Sequence, residues 1–183
     1  MKKFRGQAKR MVNGTFLGAG LILSCATQPA HAVPPTKVES PFTAPFTIDW
    51  ICAFPVTFSP VGTNPASNNQ KLITFYNKQG QPTLQAMNGS LTVKATNANT
   101  GKSVYLNASG PAKFTPQPDG TTLWTTTGPW VWYFPPPPQG KTFPLPLFSY
   151  VNGRMESIFD ASGNFSGLKS IVGTVEDACT LLE

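Results

Sequence analysis

The sequence predicts an all-β domain, a single sandwich or barrel made mostly of antiparallel hairpins, with its two ends joined by a disulfide. Three observations predict it. Turn-forming residues recur every few positions, with 19 prolines and 16 glycines among 183 residues. The runs between them are short and rich in β-branched and aromatic side chains. No stretch sustains the three-to-four apolar spacing that would give a helix a buried face.

The first 32 residues stand apart from this pattern. A basic head, MKKFRGQAKR, precedes an apolar run over Phe16–Leu23 and a polar stretch ending Ala30-His31-Ala32. That order predicts a secretory signal peptide cleaved after Ala32, and the apolar run is shorter than the ~20 residues a membrane span needs. A second reading takes Ile22-Leu23-Ser24-Cys25 as a loose lipobox, with Cys25 the lipid-bearing N-terminus of a surface-anchored protein. Ala-His-Ala is preferred because the polar segment before it suits ordinary signal peptidase. The expected organisation is therefore a leader over 1–32, an extended lead-in over 33–45 with four prolines, and a β domain over 46–183.

Along that domain, Ile48–Phe54 reads as the opening strand, which Pro55 restricts. Leu72–Tyr76 follows, turned by Asn77–Gly80. In Leu91–Thr96 the apolar Leu91, Val93 and Ala95 alternate with Thr92, Lys94 and Thr96, the period of a half-buried strand. Asn97–Gly101 supplies a loop able to hold positive φ, and Val104–Ala108 returns. Lys113–Thr115 and Thr122–Thr125 flank Pro118-Asp119-Gly120, a strong turn signal. Arg154–Phe159 and Phe165–Val172 flank Asp160–Asn164, and Val175–Leu182 reads as a strand end or a single helical turn.

Loss of the leader changes the charge and the chemistry. The whole chain carries a formal charge of +6, but five basic residues lie in the leader, leaving nine against eight acids and a net charge near +1. Lysines such as Lys71, Lys94, Lys113 and Lys169 stand singly, so no basic cluster exists to displace counterions from a nucleic acid. The single histidine, His31, also departs, which removes Ser-His and Cys-His nucleophiles and any His-containing zinc site. No cofactor is expected. Two cysteines remain, Cys52 and Cys179, and an even count in an exported chain favours a disulfide over two buried thiols.

Four landmarks recur in order: Cys52-Ala53-Phe54-Pro55-Val56, Thr96-Asn97-Ala98-Asn99-Thr100-Gly101-Lys102-Ser103, Asp119-Gly120 and Asp177-Ala178-Cys179-Thr180-Leu181-Leu182. Together they make residues 50–183 resemble a group of uncharacterised secreted proteins common in actinobacteria. The resemblance implies export and architecture, and it carries no catalytic residues.

Candidate sites are few. Gly101-Lys102-Ser103 lacks the earlier glycine of a phosphate-binding loop, since Thr96 stands there, and reads as a turn. Among the acids, Asp119 and Asp160 read as turn formers, Glu176 and Asp177 as solvated, and Glu156 as a strand-face partner of Arg154. Asp49, beside Trp50, is the acid expected to be partly buried. The stretch GPWVWYFPPPPQG, residues 128–140, reads as a short edge strand or strand end followed by polyproline II. Trp130, Trp132 and Phe134 then point one way and Val131 and Tyr133 the other. Either these rings form core, covered by Phe143, Leu145, Leu147 and Phe148, or Trp130, Trp132, Tyr133 and Phe134 offer a platform to a glycan, an apolar ligand or a protein surface. The expected function is a secreted, non-enzymatic binding domain. The alternatives are a hydrolase working with carboxylates alone, and an inhibitor or toxin presenting the proline loop. Membrane contact is expected only through a lipidated Cys25.

Overall fold

The computed structural model describes residues 33–61, 67–137 and 143–183; the leader with Cys25 and His31, and Pro138–Gly140 of the proline stretch, lie outside them. The strands are β1 (Thr36–Glu39), β2 (Phe46–Ile48), β3 (Val56–Pro60), β4 (Lys71–Tyr76), β5 (Pro82–Asn88) and β6 (Thr92–Asn97). They continue with β7 (Ser103–Asn107), β8 (Ala112–Pro116), β9 (Thr122–Tyr133), β10 (Phe148–Phe159) and β11 (Phe165–Asp177), followed by a 3-10 turn at Thr180–Leu182. Two antiparallel sheets pack together, one of seven strands in the order β1-β4-β5-β8-β9-β10-β11 and one of four in the order β2-β3-β6-β7. The sheets are open, so the architecture is a sandwich and not a closed barrel.

The alternating run over Leu91–Thr96 behaves as its period dictates. Val93, Ala95 and Asn97 are buried, while Thr92, Lys94 and Thr96 are only partly so. Its return through Gly101, at φ +77°, makes Gly101-Lys102-Ser103 a hairpin turn. The Asn97 side chain fixes that turn twice: its carbonyl oxygen accepts from the N–H of Asn99 (2.9 Å) and Thr100 (3.3 Å). Its amide donates to the Leu182 carbonyl (3.2 Å), tying the turn to the chain's last residues.

Two sequence expectations are corrected. The lead-in over 33–45 is extended, but its Thr36–Glu39 pairs with β4 as the edge of the larger sheet. The opening strand is shorter than Ile48–Phe54: β2 ends at Ile48 and the chain bends from Asp49 to Phe54 before β3 returns. Ile48 and Ile51 are both buried, at 3% and 4% exposure, and a three-residue spacing inward cannot be met by strand alternation. The aromatic stretch is the strand end that the sequence allowed: it is the second half of β9, which ends at Tyr133 and pairs with β10 throughout, whereas β8 pairs only with Thr122–Thr126. Pro129 is accommodated because pairing with β8 ends at Ala112 opposite Thr126. Past that point Gly110 N–H donates to the Pro129 carbonyl (3.1 Å), a bond that asks nothing of the proline nitrogen.

The larger sheet is sharply folded. Trp124 and Trp132 lie eight residues apart on β9, roughly 26 Å along a straight strand, yet their ring centroids are 4.5 Å apart. The bend falls at Gly128, which pairs with Gly153 on β10, which in turn pairs with Gly173 on β11. All three adopt positive φ (+84°, +152° and +133°), and together they crease three neighbouring strands along one line. A Cβ on Gly153 would run into the Val172 carbonyl oxygen and come within 2.7 Å of the Gly173 Cα, so only hydrogen fits there.

The crease produces two cores. Inside it, Trp130, Trp132, Phe134, Val151, Met155 and Ala112 are buried. On the opposite face of the same strands, Phe148 packs edge-on against Phe58 of the smaller sheet, with centroids 5.3 Å apart, among Ile48, Val56, Val93, Ala95 and Leu106. The Cys52–Cys179 disulfide, with Cα atoms 5.7 Å apart, joins the β2–β3 loop to the segment after β11 at the margin of this second core.

Candidate functional site

Inside the crease lies a cavity of about 580 Å³. Trp124, Trp130 and Trp132 reach it from β9, Phe134 from just past that strand's end, Phe114 from β8, Met87 from β5, Phe159 from β10 and Phe165 from β11, with Tyr133, Gly163 and Asn164 also in the lining. The rings touch one another around the walls. Trp124 lies 4.8 Å from Phe114 and 5.3 Å from Phe159, and Trp132 stacks on Phe134 at 5.5 Å and 12°. Phe134 meets Phe165 edge-on at 5.2 Å. Among the described residues, no side chain lining this cavity carries a formal charge.

The strand parity read from the sequence holds: Trp130, Trp132 and Phe134 face one way, buried to 7%, 5% and 2% exposure, and Tyr133 faces the other, half exposed at 49%. An open stacking platform is therefore absent at the first three. They are cavity wall and core at once, because the crease turns their face inward. Of the covering residues, Phe143, Leu145 and Leu147 do fold over this face, with Phe143 4.4 Å from Phe134. Phe148 does not, since it opens β10 on the opposite face. The Tyr133 ring instead joins Phe46 (5.9 Å) and Phe58 (5.8 Å) at a smaller recess of about 180 Å³ between the sheets.

Trp124, Phe114, Phe159, Phe165 and Met87 were absent from the sequence reading of the site. The signal for Trp124 is present: it shares the even-numbered parity of Trp130, Trp132 and Phe134 once β9 is taken as one strand.

The acids lie elsewhere. Asp119 Oδ1 accepts from the Thr121 hydroxyl (2.7 Å) and N–H (2.9 Å), which hold its carboxyl below the ordinary range. Asp160 is held low by the Asn164 N–H, then by its side-chain amide and the Ser162 N–H. Glu156 is held low first by Arg154, at 2.6 Å, and also by the Ser170 hydroxyl. These are the turn and strand-face roles the sequence suggested. Asp49, expected to be partly buried, is exposed, because the chain leaves the strand at that residue. Among the described residues no cluster of three or more His, Cys, Asp or Glu side chains could hold a metal ion.

These depressed carboxyls set an acid limit. A carboxyl that ionises more easily in the folded state than in the unfolded chain stabilises the fold in full above its unfolded pKa, near 4. That contribution is lost as pH falls through the folded value. Urea midpoints are expected to hold steady from about pH 7 to 5 and to fall below about pH 4, with Glu156→Gln giving a shallower fall. Identical pH profiles for the two proteins would remove Glu156 from this account.

Searches of protein-family models, curated proteins and solved structures find no match to this chain.

Proposed function

We propose that this chain is an exported, non-enzymatic binding domain that takes a small apolar molecule into the aromatic cavity of its creased sheet. One observation carries the reading: a single uncharged space of about 580 Å³, walled by at least six aromatic rings, lies within the range of small-molecule sites. The disulfide supports export, since such bonds persist in oxidising compartments. The preferred leader and the resemblance to secreted actinobacterial proteins agree with it.

A carboxylate-only hydrolase fits less well, because it needs two acids facing one another across the substrate. The described residues that line the cavity include none. The proline loop is part of this reading rather than a rival to it, since Pro135 stands at the cavity's edge beside Phe134.

Titration with fluorene, a flat hydrocarbon, tests the proposal through the emission of the wall tryptophans. A saturable change with one-to-one stoichiometry is expected, together with a melting temperature that rises with ligand concentration. Emission and melting temperature both unchanged up to the solubility limit of fluorene would refute it.

A further inference from the structure

Among the described residues, five buried side-chain polar atoms have no hydrogen-bond partner: the indole nitrogens of Trp124, Trp130 and Trp132 and the hydroxyl oxygens of Thr126 and Ser157. Their placement is not scattered. All belong to β9 and β10, and pairing puts Trp124 opposite Ser157 and Thr126 opposite Met155, on the face that lines the crease. A buried donor left unpaired costs about 1–3 kcal/mol, and folded proteins carry few of them. Three indoles within one aromatic cluster are therefore a concentration that asks for a partner.

The chemistry of that partner follows from the donors. An indole nitrogen can only donate. Among the described residues, the cavity lining offers neither a cation to hold an anionic group nor an acid to hold a basic one. The partner must supply neutral acceptor oxygens on an apolar body. Its shape follows from the walls, which among the described residues are mostly aromatic rings. A flat conjugated skeleton fits such walls best.

Trp130 is set apart from the other two. A Cβ on Gly110 would collide with its indole nitrogen, so that N–H is pressed against the Gly110 backbone. Trp124 and Trp132, whose rings touch each other, are the two donors that remain at the cavity.

From this placement we infer that the cavity's ligand is a flat, uncharged, carbonyl-bearing molecule whose oxygen accepts from the indole N–H groups of Trp124 and Trp132. Both nitrogens are closed to solvent, so binding includes a turn of each indole about its Cβ–Cγ bond to meet the oxygen. No covalent step is involved. The inference rests on the binding reading proposed above and deepens it.

The test compares 9-fluorenone with fluorene, which share one planar skeleton and differ by a carbonyl. Fluorenone is expected to bind about tenfold tighter, the worth of one to two hydrogen bonds made in a dry site. The chain has four tryptophans and hence four indole N–H signals in a proton–nitrogen correlation spectrum. Fluorenone should move those of Trp124 and Trp132 downfield and leave the half-exposed Trp50, outside the cavity, in place. Trp132→Phe keeps a ring while removing a donor, and should weaken fluorenone several-fold more than it weakens fluorene; an equal loss for both compounds would count against the carbonyl contact. Equal affinities with no downfield indole shift would overturn the carbonyl inference and leave the cavity reading standing. Binding of neither compound would overturn both. The spectra of the unaltered protein decide the question even if the variant folds poorly.

Discussion

Replacing Cys52 and Cys179 together by serine is expected to lower the unfolding free energy by about 4–5 kcal/mol, the largest effect of any small change to this chain. The two cysteines are 127 residues apart in sequence, so the bond closes nearly the whole described domain into one loop. In the chain-entropy account, a loop of about 100 residues is worth about 4.7 kcal/mol through the freedom it denies the unfolded state. The bond also anchors two segments that no strand holds. Cys52 lies in the bend between β2 and β3, and Cys179 follows β11, where its N–H donates to Asp177 Oδ1 (3.0 Å). Buried Ile51, Ala178 and Leu182 flank the two cysteines. Without the bond, those side chains lose the tether that holds them to the core. Urea unfolding of the double variant should show the loss, and fully reduced wild-type protein should match it. A loss under 1 kcal/mol would mean that the strand ladders alone hold the ends in place.

Gly153→Ala is expected to cost about 3 kcal/mol or more, and a fall in melting temperature of roughly 6–12 °C for a domain of this size. Two costs add. The backbone at φ +152° is one that side chains rarely adopt, at about 1–3 kcal/mol. The new methyl also meets the Val172 carbonyl and the Gly173 Cα, backbone atoms of a paired strand that cannot swing aside, at about 1–3 kcal/mol for forced overpacking. Gly167→Ala is the control. It lies on β11 without a positive φ and with no atom within 4 Å of the added carbon, so a change within about 0.5 kcal/mol is expected. Equal stability of the two variants would show that the sheet relaxes freely at the crease.

Local pattern in the sequence was enough to locate most hairpins. Asp119-Gly120 and Asn77–Gly80 turn where their chemistry says they must, and the alternation over Leu91–Thr96 orients that strand correctly. The disulfide follows from counting cysteines once the leader is set aside. What the sequence hid was long-range. Gly128, Gly153 and Gly173 are 25 and 20 residues apart, and nothing local says that they stand side by side until the register of β9, β10 and β11 is known. For the same reason Trp124 reads as the partner of a small hairpin and not as the wall facing Trp132. Pro129 signalled a limit to pairing, because proline inside a strand argues for an unpaired side, but which neighbouring strand stops there, and where, was not local information. The aromatic orientation was legible, and so was a core destination for Trp130, Trp132 and Phe134 beneath Phe143, Leu145 and Leu147; that the sheet folds on itself so that these rings also wall a cavity was not.

Running the same three strands through both halves of the creased sheet has a mechanical consequence. Spreading those halves would mean unbending β9, β10 and β11 together against their ladder bonds. The Asp160–Asn164 turn, which contributes Gly163 and Asn164 to the cavity lining, is itself braced by the Asp160 carboxylate on the N–H groups of Ser162 and Asn164. Were a guest to bind as proposed, its exchange would depend on local motion of such lining residues and not on hinging of the two halves.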